Sequence, residues 1–125
     1  MKVTIAIPEG ASVFLLEDSP ERVEWFTHKI PDLVTADTAD KAIAILAGKV
    51  FDFVFLDHDL GLMDYAGGTG SMGNGQEVAH YLSGRGFLGK NVFIHSWNAL
   101  GAAKMKDILE GAYAVPFGQF DIRRT

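Results

Sequence analysis

Three apolar runs in this chain each end in side chains that bind metals or move protons. Val13-Phe14-Leu15-Leu16 leads into Glu17-Asp18, Phe53-Val54-Phe55-Leu56 into Asp57-His58-Asp59, and Val92-Phe93-Ile94 into His95-Ser96. Runs of β-branched, leucine and aromatic residues without polar alternation read as strands buried on both faces, the pattern of a parallel sheet. In an open parallel sheet, ligands bind just beyond the carboxyl ends of the strands. The three polar endings are therefore expected at one rim. Four carboxylates and two imidazoles gathered there are costly unless a cation neutralises them, most simply a divalent metal.

The 125 residues, 48% of them hydrophobic, suffice for one core, so residues 1–125 read as a single domain. No stretch approaches the roughly 20 apolar residues that span a bilayer. Met1 to Ile7 is too short for a signal-peptide core, so a cytoplasmic location is expected. With no cysteine, disulfides and thiolate chemistry are excluded, and any metal is held by oxygen or imidazole. A net charge of −5 opposes binding to extended duplex nucleic acid, which needs many phosphate contacts. A small phosphorylated ligand or a single RNA end stays compatible, because a bound cation reverses the local field. Arg85, Lys90, Arg123 and Arg124 read as scattered surface charges.

The remaining elements follow from local signals. Residues 3–7 alternate weakly before Pro8-Glu9-Gly10 and suggest a short extra N-terminal edge strand. After the strand at 12–16, Ser19-Pro20-Glu21 supplies an N-cap, a proline at the first helical position and an acidic first turn for a helix to about Lys29. Leu33-Val34-Thr35 is a short strand. Thr38-Ala39-Asp40 caps a helix that ends at Gly48. Strand 53–56 is followed by a glycine-rich segment at 61–75, long enough for a binding loop or lid. It lacks the Gly-Lys-Ser/Thr of a phosphate-cradling loop. A helix at 76–83, a strand at 91–95, a helix at 99–110 and a strand around 112–115 complete an alternating order that predicts a parallel sheet between helical layers. Phe120 to Thr125 reads as a tail or the stub of a final helix.

Laid out this way, the chain resembles the response-regulator receiver domain over roughly positions 12–118. Glu17-Asp18 matches the acidic pair after the first strand, Asp57 the phosphoacceptor after the third, and Ser96 the hydroxyl residue after the fourth. The resemblance implies an α/β, flavodoxin-type three-layer sandwich around a central five-stranded parallel sheet. It also implies Mg²⁺ held by the acidic pair and the phosphoacceptor, with a backbone carbonyl added two residues later, at Asp59. Where receivers carry a lysine before a proline, this chain has Val115 before Pro116-Phe117. Asp57-His58-Asp59-Leu60, the segment ending Gly73-Asn74-Gly75-Gln76-Glu77-Val78-Ala79, and His95-Ser96-Trp97-Asn98-Ala99-Leu100-Gly101-Ala102 with Met105 look instead like the cyclic-phosphate-processing receiver family. That likeness implies action on cyclic or terminal phosphates of nucleotides or RNA, notably in RNA repair.

On this reading Mg²⁺ or Mn²⁺ is held by Glu17, Asp18 and Asp57. Asp59 ligates, orients a water or contributes only its carbonyl. His95 is the candidate general acid or base, and Ser96 and Asn98 are donors to a phosphate oxygen. A variant has Asp57 attack phosphorus itself. His58, which strand alternation turns away from its flanking aspartates, is a candidate supporting imidazole. Arg22 pairs with Asp18 or reaches an anionic substrate, and Trp97 packs at the rim or stacks on a base. His28 and His80 are assigned no role. Two other classes of function remain: a pseudo-receiver that binds a protein partner without turnover, and a stand-alone receiver that accepts phosphate at Asp57.

Overall fold

The computed structural model describes residues 2–60, 74–86 and 91–125. Most of the glycine-rich segment, residues 61–73, and Lys90 lie outside them. In chain order the elements are β1 (Val3–Ile7), β2 (Val13–Leu16), α1 (Pro20–Lys29), β3 (Val34–Ala36), α2 (Ala39–Gly48) and β4 (Phe53–Leu56). There follow α3 (Gly75–Gly84), β5 (Val92–Ile94), α4 (Ala99–Ile108), β6 (Tyr113–Ala114) and β7 (Phe120–Arg124). Five strands form one parallel sheet in the order β3-β2-β4-β5-β6. Each crossover between these strands carries a helix, as parallel pairing requires.

The helices begin where side chains satisfy the first free amides. Ser19 accepts from the Arg22 amide of α1, Thr38 from Lys41 of α2, Asn74 from Gln76 of α3 and Asn98 from Gly101 of α4. Asn98 therefore both caps α4 and stands at the rim beyond β5.

Alternate residues of the central strands enter two separate cores. Phe14, Leu16, Val54, Leu56, Val92 and Ile94 pack under α2, α3 and α4 with Ala42, Leu46, Val78, Leu82 and Met105. Val13, Leu15 and Phe55 turn to the opposite face, against Phe26 and Ile30 of α1 and its flank. No helix among the described residues is long and apolar enough to cross a membrane.

Two expectations are corrected at the termini. The N-terminal strand exists, but it does not edge the main sheet. It pairs in parallel with β7, from Val3 opposite Phe120 to Ile7 opposite Arg124, as a separate two-stranded sheet. The last residues are accordingly a strand and neither a tail nor a helix stub. The reason is burial: Ile5, Ile7, Phe120 and Ile122 close the core that α1 alone leaves open over Leu15 and Phe55. Phe120-Asp121-Ile122-Arg123 does alternate, but four residues of period two carry little weight until a partner strand is in place.

Candidate functional site

Beyond the carboxyl ends of β2, β4 and β5 lies a cleft of about 350 Å³. Asp18 and Glu17 reach it from β2, Asp57 and Asp59 from β4, and Ser96, Trp97 and Asn98 from β5. The first turn of α1 adds Ser19 and Arg22. The rim expected from the sequence is thus assembled, and most of the named residues line it. His95 and His58 do not.

His95 is fully buried, with Nε2 2.8 Å from Glu17 Oε1 and its ring 5.3 Å from that of Phe26. It sits beneath the cleft, and its Nδ1 has no hydrogen-bond partner among the described residues. Glu17, also buried, is gripped from three sides. His95 holds Oε1, the Ser19 amide donates to Oε2 at 3.1 Å, and the Arg22 guanidinium lies 3.7 Å from Oε1. Burial alone raises the Glu17 pKa. The hydrogen bond and charge of His95, with Ser19 and Arg22, outweigh it and leave the carboxyl below its ordinary value.

Asp57 responds in the opposite direction. Burial above all, with the negative charge of Glu17, pushes its pKa up to about 6 against the pull of His95, the His58 amide and Arg22. The His58 amide donates to Oδ1 at 2.9 Å. Atoms of Glu17, Asp57 and His95 lie within 4.8 Å of one another. A buried carboxylate strained toward protonation beside a second ionised carboxylate is an environment short of positive charge, and this donor set fits a divalent cation.

Asp59 is held by two neighbours: His58 Nδ1 at 2.7 Å and Asn98 Nδ2 at 3.2 Å from Oδ1. His58 therefore faces an aspartate from which strand alternation was expected to turn it. Alternation ends with β4 at Leu56, so it does not govern residues 57–59. The His58 ring lies directly over Gly101, where a Cβ would stand 2.5 Å from its Cγ. A Cβ on Gly75 would collide with the Asp57 carbonyl oxygen. Both glycines let a helix N-terminus approach the acidic segment.

The side chain of Asn98 is committed to its surroundings, with Oδ1 capping Gly101 and Nδ2 on Asp59. Ser96 Oγ accepts the Asn98 amide at 3.0 Å, which leaves its own hydrogen to donate. Arg22 sets its guanidinium against Glu17, 3.7 Å from Oε1. Trp97 is 68% exposed, anchored by Nε1 donating to the Phe117 carbonyl at 2.7 Å. His28 and His80 are exposed, on α1 and α3. Ser19 and Phe117 were not singled out from the sequence as parts of a site, and Gly75 and Gly101 were named only within a candidate binding loop and the family motifs. Ser19 and Asn74-Gly75 carry only the signal of a helix start, and a contact between distant segments leaves no local trace.

The sequence matches the family model of the cyclic-phosphate processing receiver domain over residues 14–111. No curated protein matches it. Among solved structures, the crystal structure of NtrX from Brucella abortus is similar, with a TM-score of 0.63 at 19% identity. The similarity covers 94% of this chain and 24% of that one, so the chain spans about a quarter of its neighbour's length. At that identity the likeness establishes the receiver-type fold. With the acidic cleft inside the matched span, the chain belongs to the cyclic-phosphate-processing receiver domain family.

Proposed function

We propose that this cleft hydrolyses a cyclic or terminal phosphate of a nucleotide or short RNA with the help of Mg²⁺ or Mn²⁺. The observation that carries the reading is Asp57. Its carboxyl is held up at about 6, and it lines an open cleft beside Asp18, Asp59 and the Ser96 hydroxyl. Asp18 and Asp57 would hold the cation, with Glu17 against it from below. The cation would supply charge neutralisation at the phosphoryl oxygens.

The protein's own groups do the rest. Ser96 donates its hydroxyl hydrogen to a phosphoryl oxygen. Asp59, fixed by His58 and Asn98, orients a water and accepts its proton as the water oxygen attacks phosphorus. The ester P–O bond breaks and the leaving oxygen takes a proton from solvent water. His95, enclosed behind Glu17, serves by holding that carboxylate in place. This differs from the acid-base role that its position after β5 suggests from the sequence alone.

A second reading is favoured by one detail. Asp57 Oδ1 accepts the His58 amide, while Oδ2 has no hydrogen-bond partner among the described residues and is free to attack phosphorus. A phosphoaccepting receiver and a hydrolase with an aspartyl-phosphate intermediate share that step. An assay across 2′,3′-cyclic, 3′,5′-cyclic and monoester substrates with each cation tests the hydrolase. Turnover that disappears in Asp57→Ala and falls about 10²-fold in Ser96→Ala supports it. Stable labelling by acetyl phosphate without turnover supports the phosphoacceptor. Neither turnover nor labelling leaves the partner-binding pseudo-receiver.

A further inference from the structure

Arg22 is the only cationic side chain lining the acidic cleft among the described residues. Its guanidinium carbon lies 4.6 Å from the centre of the Trp97 ring and 5.0 Å from that of Phe117. Trp97 is itself tied to Phe117 by the Nε1 hydrogen bond. The two rings form one tray that fixes the charged end of a flexible side chain. From the other end, the Ser19 side chain caps the Arg22 amide and fixes the first turn of α1.

The ion pair with Glu17 accounts for only part of this arrangement. At 3.7 Å the contact is longer than a hydrogen bond. Both Glu17 oxygens already have donors, in His95 and the Ser19 amide. Its side chain is only 20% exposed, so the guanidinium is held in place at the rim of the cleft. A planar fork of N–H donors, stacked on aromatic faces and lining the cleft, matches the non-bridging oxygens of a phosphate.

Resting on the phosphate-processing reading above, we infer that Arg22 is the group that grips the substrate phosphate and sets its orientation. Trp97 and Phe117 act through it as positioning residues. The cation neutralises the carboxylate side of the cleft, and Arg22 receives the phosphate from the α1 side. A lysine at this position supplies charge but neither the two parallel donors nor the stacking.

The test separates anion binding from metal binding. Mn²⁺ binding is measured by electron paramagnetic resonance, and inorganic phosphate binding by ³¹P NMR titration with Mg²⁺ present. Parent protein, Arg22→Gln, Arg22→Lys and Trp97→Ala are compared, each checked for folding by circular dichroism. Arg22→Gln should keep Mn²⁺ affinity within about twofold and lose phosphate affinity by about tenfold or more. Arg22→Lys should recover part of the loss, and Trp97→Ala should lose severalfold with the arginine still present. If Arg22→Gln fails to fold, incomplete phosphate binding by Arg22→Lys carries the test. Phosphate binding unchanged in the Arg22 variants, or Mn²⁺ and phosphate affinity falling in parallel, overturns the inference and leaves the metal site standing. A parent protein that binds Mn²⁺ but no phosphate does the same. One that binds neither overturns the functional reading as well.

Discussion

His95 Nε2 lies 2.8 Å from Glu17 Oε1, and both side chains are almost completely withdrawn from solvent. They come from the ends of β5 and β2, which are not neighbours: β4 runs between them. The pair therefore ties the floor of the cleft together across the central strand. A buried carboxylate that loses its hydrogen-bonded partner is left with an uncompensated charge, a larger penalty than the pair's net contribution. His95→Ala should accordingly destabilise the fold by about 3–5 kcal/mol, read from denaturant unfolding at neutral pH. His95→Gln, which keeps a donor, should cost clearly less. A His95→Ala variant as stable as the parent would show that the pair does not hold the floor.

The Glu17 carboxyl, held below its ordinary pKa of 4.5, contributes stability that is present above that value and lost as pH falls through its lower folded value. Glu17→Gln should therefore flatten the acid limb of the stability profile below about pH 4.5. Thermal melts from pH 2 to 7 measure this. An acid limb of unchanged steepness counts against the assignment.

Asp57 carries the opposite sign. Its folded pKa of about 6 stands above the ordinary 3.8, so the folded state binds the proton more tightly. Stability falls as pH rises from about 4 to 6 and stays reduced above that. Asp57→Asn should then stabilise the metal-free protein at pH 7.5, on the order of 2 kcal/mol. In the parent, millimolar Mg²⁺ or Mn²⁺ should raise the melting temperature by binding the folded state, and Asp57→Asn should abolish that rise. Equal metal shifts in both proteins would remove Asp57 from the cation site.

Gly75 is where the first turn of α3 meets the Asp57 carbonyl, and its own amide donates to the His58 carbonyl at 2.8 Å. A methyl group there has to displace backbone, which a flexible neighbour cannot absorb. Gly75→Ala should cost about 1–3 kcal/mol and reduce the metal-induced thermal shift. Full stability with an intact metal response would mean that α3 moves away freely.

Phe120 in β7 is 1% exposed and packs against Trp25, Phe26 and Phe55. Phe120→Ala should cost about 3–5 kcal/mol, as much as a truncation in the central strands, whereas a terminal tail would tolerate it. Urea unfolding of this variant beside Leu56→Ala decides between the two.

The sequence alone determined the central sheet and the chemistry delivered to its rim. Buried parallel strands leave continuous apolar runs, and the crevice rule then puts Glu17, Asp18, Asp57, Asp59 and Ser96 together without knowledge of any distance. Helix starts were legible at Ser19 and Thr38 because capping is a short-range hydrogen bond between near neighbours. Tertiary structure decided what depends on segments far apart in the chain. It enclosed His95 behind Glu17, committed Asn98 to Asp59, set Arg22 on Trp97 and Phe117, and joined Val3–Ile7 to Phe120–Arg124. A side chain after a strand end no longer follows the pleat, so its direction is fixed by what packs against it. A short terminal strand likewise has no stable identity until a partner and an open core give it something to bury.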